Sequence, residues 1–387
     1  MWFFRKGNPG VADLPFVLII DDDPAQESFA LELSLHGVEA EHVFPGAVTA
    51  ALLDDADIVV IDEYIDEWPE REHLAASPSL YVRDGIALAA VLRAHLENRG
   101  VNSEHVNASR TALILRTGKL EELALGLPRY LWPVVVSGRT DLEWVVEKQE
   151  VTAAQIAAMA HATRALPRVW DPARPQPQTE WLGVPDGPWR DLALSQVEDC
   201  RPPWSTLALT SAGRVWLAWF LQRILPFPTF LIDDARAAAQ LGLRPPALDV
   251  LLAGDGEIAQ ALRTAAYKGE LANLKGRRWW RAGISTLAEM FLDDGRPKPM
   301  DRAAKLEALH GSKLERLDLG YPVFVIDSNY ETREPVDVTA AVRLQPDEWP
   351  SYADSPWLAL DRIEDEPDLA KLIVIDDRGT VAADDEF

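Results

Sequence analysis

The apolar residues of the first 150 positions fall in short unbroken runs, and the runs end on polar side chains. Phe16–Ile20 empties into Asp21, Asp22 and Asp23, and Ile58–Ile61 ends on Asp62. The run in TALILRT closes on Thr117, and Leu142–Val146 is followed by Glu147 and Lys148. Val38–Phe44 alternates weakly and supplies one more strand. Between the runs lie segments of helical period. Pro24 opens one that QESFALELSLHG carries to Gly37, since a proline in the first turn loses no intrahelical hydrogen bond. Ala47–Leu53 predicts a short second helix, and Asp84–His95 a third with Ile86, Leu88, Ala89 and Leu92 on one face. Val151–Leu166 closes the series, with Ile156, Met159 and Leu166 inward. Apolar strands alternating with helices predict a parallel sheet covered on both faces. The fold expected over residues 1–168 is α/β, a doubly wound sheet of five strands, taken in the flavodoxin-like order 2-1-3-4-5 in which strands one and three are neighbours.

The pattern then changes. DPARPQPQTEWLGVPDGPW is rich in Pro and Gly and predicts a linker over about 169–190. A mostly helical region follows over 191–320. It includes Ser211–Ile224, a helix ARAAAQLGL capped by Asp234, and Ala303–Leu317 interrupted near Gly311. YPVFVID, VDVTAAVRL and KLIVIDDRGTVA read as strands of a small β-containing cap over 321–387. The last reads as a hairpin turning at Asp376 and Asp377.

With 387 residues, 48% of them hydrophobic, and 14 Trp, the chain can bury a sizeable core in more than one domain. No stretch is apolar and long enough to span a bilayer, and the opening MWFFRKG does not resemble a signal peptide; a cytoplasmic protein without membrane contact is expected. The single Cys200 excludes an internal disulfide and reads as a small buried hydrophobe. A net charge of −24 disfavours nucleic acid and anionic lipid. The charge is uneven: residues 361–387 hold ten acids against three bases. KGRRWWRAG, by contrast, sets Lys275, Arg277, Arg278 and Arg281 around Trp279 and Trp280, where cations beside aromatics can grip phosphate or simply cover a core.

Strand order turns the polar run-ends into one constellation. Ligands of open α/β sheets bind at the carboxyl ends of the strands. With strands one and three adjacent, Asp21, Asp22 and Asp62 meet there, and carboxylates held close repel unless a cation joins them. Mg²⁺ is the cofactor this predicts, held by Asp21, Asp22 and Asp62. Asp62 is then the nucleophile toward a phosphoryl group, Thr117 the hydroxyl donor to one phosphoryl oxygen, and Lys148 the cation for another. Asp23 is left a structural role.

These residues resemble those of a response-regulator receiver domain, over about residues 15–150. FVLIIDDDP is similar to that family's first strand and acidic pair, ADIVVID to its third strand, and Asp84–Gly85 to the turn into its third helix. LRTG carries the hydroxyl and EWVVEK the lysine. The resemblance implies phosphoryl transfer to Asp62 from a sensor histidine kinase or histidine phosphotransfer protein, followed by hydrolysis of the aspartyl phosphate. The chain departs from the family in insertions at about 63–83 and 119–141, the latter with a strand-like VVV run. It departs also in Gln149 after the lysine, and in Val145 where an aromatic is common. Residues beyond the receiver-like part resemble no output family.

The function expected is a phosphoacceptor that controls protein contacts of its C-terminal module. It is not an enzyme turning over a metabolite: no Gly-rich phosphate loop, HExxH helix or GxSxG elbow occurs. Two alternatives stay open. One is an unphosphorylated pseudo-receiver serving as a scaffold. The other is a DNA-binding regulator with a degenerate helix-turn-helix at 234–252, although its second helix offers few donors. A homodimer through the fourth and fifth receiver elements is also left open.

Overall fold

The structure is a computed structural model that describes residues 14–65, 84–100, 111–166, 176–207, 212–272, 274–290 and 299–379. The chain divides into two compact units. The first comprises Met1–Leu120, Val136–Trp181 and Pro202–Ala218; the second comprises Glu121–Val135, Leu182–Arg201 and Trp219–Phe387.

The first unit is built on β1 (Phe16–Ile20), α1 (Gln26–Ser34), β2 (Glu39–Val43), α2 (Ala50–Asp55), β3 (Ile58–Asp62), α3 (Gly85–Gly100) and β4 (Ala112–Thr117). In chain order α4 (Leu120–Leu123) and α5 (Trp132–Thr140) follow, their residues from Glu121 to Val135 being counted with the second unit, and then β5 (Trp144–Glu147) and α6 (Ala153–Ala165) of the first. The sheet is parallel in the order β2-β1-β3-β4-β5, the flavodoxin-like order expected. All of β1 and β3 is buried, as unbroken apolar runs require in a sheet covered on both faces, whereas edge strand β2 alternates. Helix α1 packs on α6, and α6 on β1 and β3. A capping box fixes the start of α6, with Thr152 and Gln155 satisfying each other's backbone N–H groups.

The amino ends of the strands are tied by buried acids. Asp57 accepts the Phe16 N–H and pairs with Arg164, both through Oδ2, at 2.9 and 2.8 Å. Glu143 accepts Arg93 Nη2 and the Leu113 N–H, each at 2.6 Å to Oε2. The VVV run lies in α5 and is helical, not a strand mimic; Pro133 at its second position suits a first helical turn.

The second unit carries α7 (Arg190–Cys200); α8 (Trp204–Leu207) and all but the last residue of α9 (Ala212–Trp219) are counted with the first, and the second resumes as a π turn over Phe220–Ile224. Then come β6 (Leu231–Ile232), α10 (Asp234–Gln240), α11 (Pro245–Leu252), α12 (Glu257–Ala265), β7 (Trp279–Trp280), α13 (Arg281–Met290) and α14 (Pro299–His310). Ile232, Leu241, Leu248, Leu262, Trp279 and Ile284 lie in one core shared by these helices. A small sheet of β8 (Pro322–Ile326), β9 (Thr332–Asp337), β10 (Ala341–Arg343) and β11 (Trp357–Ala359) is ordered β10-β11-β8-β9, and α15 (Pro367–Ala370) follows. The predicted mostly helical region with a small sheet is thus present.

Several local expectations are corrected. Asp233, not Asp234, caps α10 by accepting the Arg236 N–H; Asp234 enters the first turn and accepts from Arg277 and Trp279. Helix α14 spans Pro299–His310 and stops at Gly311, whose φ of +75° no continuing helix accepts. VDVTAAVRL is broken by a 3₁₀ turn at Val338–Ala340. In KLIVIDDRGTVA, Ile373 makes one bridge to Leu344 and Ile375–Asp377 is a 3₁₀ turn, while the return arm of the expected hairpin, residues 380–382, lies outside the described residues. Two adjacent acids there favour a solvated turn over strand pairing.

Candidate functional site

Strand β1 stops at Ile20 because the next three residues are acids, which the sheet interior cannot hold. Asp21 remains buried, Asp22 is half-buried and Asp23 is exposed. Asp21 Oδ1 accepts the Asp23 N–H and Asp23 Oδ1 the Ala25 N–H, both at 2.9 Å. These turns swing the chain into α1 and give Asp23 the structural role expected. Strand β3, in register beside β1 with Ile61 opposite Ile20, delivers Asp62 one residue later.

The three acids converge. Asp21, Asp22 and Asp62 each place a carboxylate oxygen within 4.8 Å of the others. Lys148, just beyond β5, sets Nζ 2.8 Å from Asp62 Oδ1 and 3.5 Å from Asp21 Oδ2. Its own N–H is held by the Thr117 carbonyl at 2.8 Å, so the ends of β4 and β5 fix the lysine's position. Burial, and then the neighbouring Asp62, push the Asp21 carboxyl up to about 6. Burial also raises Asp62, against the pull of Lys148 and the Glu63 N–H. Three carboxylates thus converge beside Lys148, an arrangement that a further cation would stabilise. The donor set, carboxylate oxygens alone, suits a hard divalent cation.

Thr117 ends β4 fully buried, one residue beyond the register partner of Asp62. Its Oγ1 accepts the Lys119 N–H at 2.8 Å and donates to the Glu63 carboxylate. The structure thus brings all five predicted side chains, Asp21, Asp22, Asp62, Thr117 and Lys148, to the carboxyl end of one sheet. Two further residues join them that sequence reasoning did not single out. Glu63 is buried beside Asp62, and an acid directly after the candidate acceptor was a readable signal. Arg116 pairs across the strands with Asp62. Its guanidinium sits 4.0 Å from the centre of the Phe29 ring and donates to Gln26 Oε1 at 2.7 Å. Burial lowers the Arg116 pKa, while Asp21 and Asp62 oppose that shift.

The 63–83 insertion leaves this geometry intact at its base. Tyr64 bridges Asp84, and the Gly85 N–H bonds the Glu63 carbonyl at 2.7 Å. A Cβ on Gly85 would lie 1.9 Å from the Asp62 carbonyl oxygen, so only glycine lets the returning chain start α3 here. The rest of the insertion, residues 66–83, lies outside the described residues.

The other candidate chemistry does not assemble. Trp279 and Trp280 are fully buried, so neither can stack on a base. Arg277 is held by Asp234 and Asp249, Arg281 by Asp354, and Arg278 by the Leu225 carbonyl. In the helix-turn-helix-like pair α10–α11, Arg244 is paired with Glu315 and Glu334. Cys200 is buried, and burial followed by Asp199 pushes its thiol up to about 12, so it is no nucleophile at neutral pH.

No protein-family model and no curated protein matches the chain. Among solved structures, it is similar to a sensor protein from Polaromonas sp. JS666 at 18% identity, covering 38% of this chain and 94% of that one with a TM-score of 0.25. It is similar to RcsB of Salmonella enterica serovar Typhimurium, bound to promoter P1flhDC with the phosphomimetic BeF3⁻. That match has 17% identity, covers 40% of this chain and 61% of that one, and has a TM-score of 0.24. Another structure of the RcsB response regulator of Salmonella typhimurium matches at 15% identity over 54% of this chain and 98% of that one, with a TM-score of 0.25. The function proposed below rests on the strand-end geometry and not on these likenesses. Among the described residues, no helix is long and apolar enough to cross a membrane.

Proposed function

We propose that the first unit is a phosphoacceptor of the response-regulator receiver type, with Asp62 as the acceptor. The observation that carries this reading is the convergence of Asp21, Asp22 and Asp62 beside Lys148 at the carboxyl end of the parallel sheet. Asp21, Asp22 and Asp62 would hold Mg²⁺, which when bound supplies positive charge to the phosphoryl oxygens. Asp62 attacks phosphorus; a P–O bond forms as the donor's P–N bond breaks, and the electron pair returns to the donor imidazole. Lys148, already on Asp62, is placed to neutralise charge on the incoming group, and Thr117 to donate to another oxygen. Burial of Asp62 keeps bulk water from competing as nucleophile.

The donor is a phosphohistidine on a sensor kinase or phosphotransfer protein, and the output is a change in protein contacts made by the chain. Chemistry is limited to self-phosphorylation and later hydrolysis of the aspartyl phosphate; the protein is not a turnover enzyme on a metabolite.

The test is incubation of the full chain with Mg²⁺ and acetyl phosphate, read by intact mass and by lability of the adduct to base. An adduct of one phosphoryl group is expected, lost in Asp62→Asn and on chelation of the metal. A fold-competent wild type that takes no phosphoryl group, from acetyl phosphate or from a phosphohistidine donor, would remove this reading.

A further inference from the structure

A threonine hydroxyl has one proton and two acceptor lone pairs. In Thr117 the proton is given to the Glu63 carboxylate, and the oxygen accepts the Lys119 N–H at 2.8 Å. The role proposed for Thr117 needs the same proton aimed at a phosphoryl oxygen. Both partners cannot have it at once.

Glu63 is also badly placed, by charge, for an arriving phosphoryl group. It is 6% exposed and follows Asp62 directly in the chain, so a carboxylate and a phosphoryl group brought together there would repel. Its backbone cannot withdraw easily: the Glu63 N–H bonds Asp62 Oδ1 at 2.9 Å and its carbonyl accepts the Gly85 N–H at 2.7 Å. Relief has to come from rotation of the side chain.

The contact belongs to a short run of contacts. Glu63 accepts the Thr117 hydroxyl, Thr117 accepts the Lys119 N–H, and the Lys119 ammonium lies 4.5 Å from the Tyr64 ring centre and 3.4 Å from its hydroxyl. Tyr64 follows Glu63 in the chain and is exposed. The ends of β3 and β4 are thereby clasped through the one hydroxyl that phosphorylation would claim.

We propose that Glu63 is a latch on Thr117. In the unphosphorylated protein its carboxylate holds the hydroxyl; phosphorylation of Asp62 requires Glu63 to release it, and the release opens the Glu63–Thr117–Lys119–Tyr64 clasp. This rests on Asp62 being the acceptor. Glu63 is a positioning residue, acting through Thr117.

Four full-length proteins test it: wild type, Glu63→Ala, Thr117→Val and the double variant. The rate of adduct formation with Mg²⁺ and acetyl phosphate is followed by intact mass. Glu63→Ala is expected to be phosphorylated roughly tenfold faster than wild type, because a donor is released and a like charge removed. That gain should shrink to a small residual in the Thr117→Val background. A full gain without Thr117 would mean that Glu63 acts by charge alone, and no gain in either background would equally overturn the latch. If none of the four takes a phosphoryl group, the acceptor reading fails and the latch with it. A second readout needs no phosphoryl transfer. In metal-free urea unfolding the two substitutions should be non-additive by roughly tenfold in the unfolding equilibrium constant, the size of a buried charge-assisted hydrogen bond. Strictly additive losses would show that the contact does not hold the two side chains together.

Discussion

Four buried carboxylates of the first unit serve opposite purposes according to the strand end they occupy. Asp57 and Glu143, at the amino ends, are matched by Arg164 and Arg93 and by backbone N–H groups. Asp21 and Asp62, at the carboxyl ends, share one lysine between them. Asp21 records the difference, with its carboxyl raised from 3.8 to about 6 by burial and by Asp62. A folded-state pKa above the unfolded one favours the folded protein fully below pH 4, and that contribution is lost as pH rises through about 6. Asp21→Asn is therefore expected to stabilise the metal-free protein at pH 7 by on the order of 2 to 3 kcal/mol, with the advantage vanishing near pH 4. Urea unfolding in chelator across that range checks it; an advantage of constant size would contradict the assigned cause. The carboxylates and lysine of the site were legible as residues at run-ends. Arg93 and Arg164 were not, because a helix-borne arginine looks solvated until its partner strand is known.

At the scale of elements, unbroken apolar runs identified β1, β3 and β4 closely, since a strand buried on both faces has no polar position to blur its limits. Edge strand β2 was placed to within one residue at each end, whereas the short, partly buried α2, expected over Ala47–Leu53, spans Ala50–Asp55. The VVV run shows where pattern fails: β-branched residues favour strands locally, yet tertiary packing draws them into α5. Gly85 joins element to site. Its missing Cβ lets α3 begin against the Asp62 carbonyl, so Gly85→Ala must push the end of β3 or the start of α3 aside. A loss on the order of 2 kcal/mol in urea unfolding is expected, together with slower phosphorylation of Asp62. Wild-type stability in this variant would show that the turn can relax without touching the site.

Over the whole molecule, charge decides which polymer partners are open to it. A net −24, with Arg277 and Arg281 committed to internal carboxylates and Trp279 and Trp280 in the core, leaves little to hold a polyanion. No retention of duplex DNA is expected in a gel shift at about 0.15 M salt. A shifted band that weakens steeply with salt, and is lost when Arg244 and Lys275 are neutralised, would reopen the helix-turn-helix alternative. The sequence by itself determined the five parallel strands and the polar side chains at their carboxyl ends, which follow from local period. Their order was carried by the resemblance to receiver domains, since right-handed crossovers alone admit more than one doubly wound order. Only the tertiary structure decided that residues 121–135 belong with the second unit, that Asp233 rather than Asp234 caps α10, and that Glu63 claims the Thr117 proton. Each of these depends on which groups meet across many intervening residues, and hydrogen-bond ownership among close acids is set by distance, which no one-dimensional pattern contains.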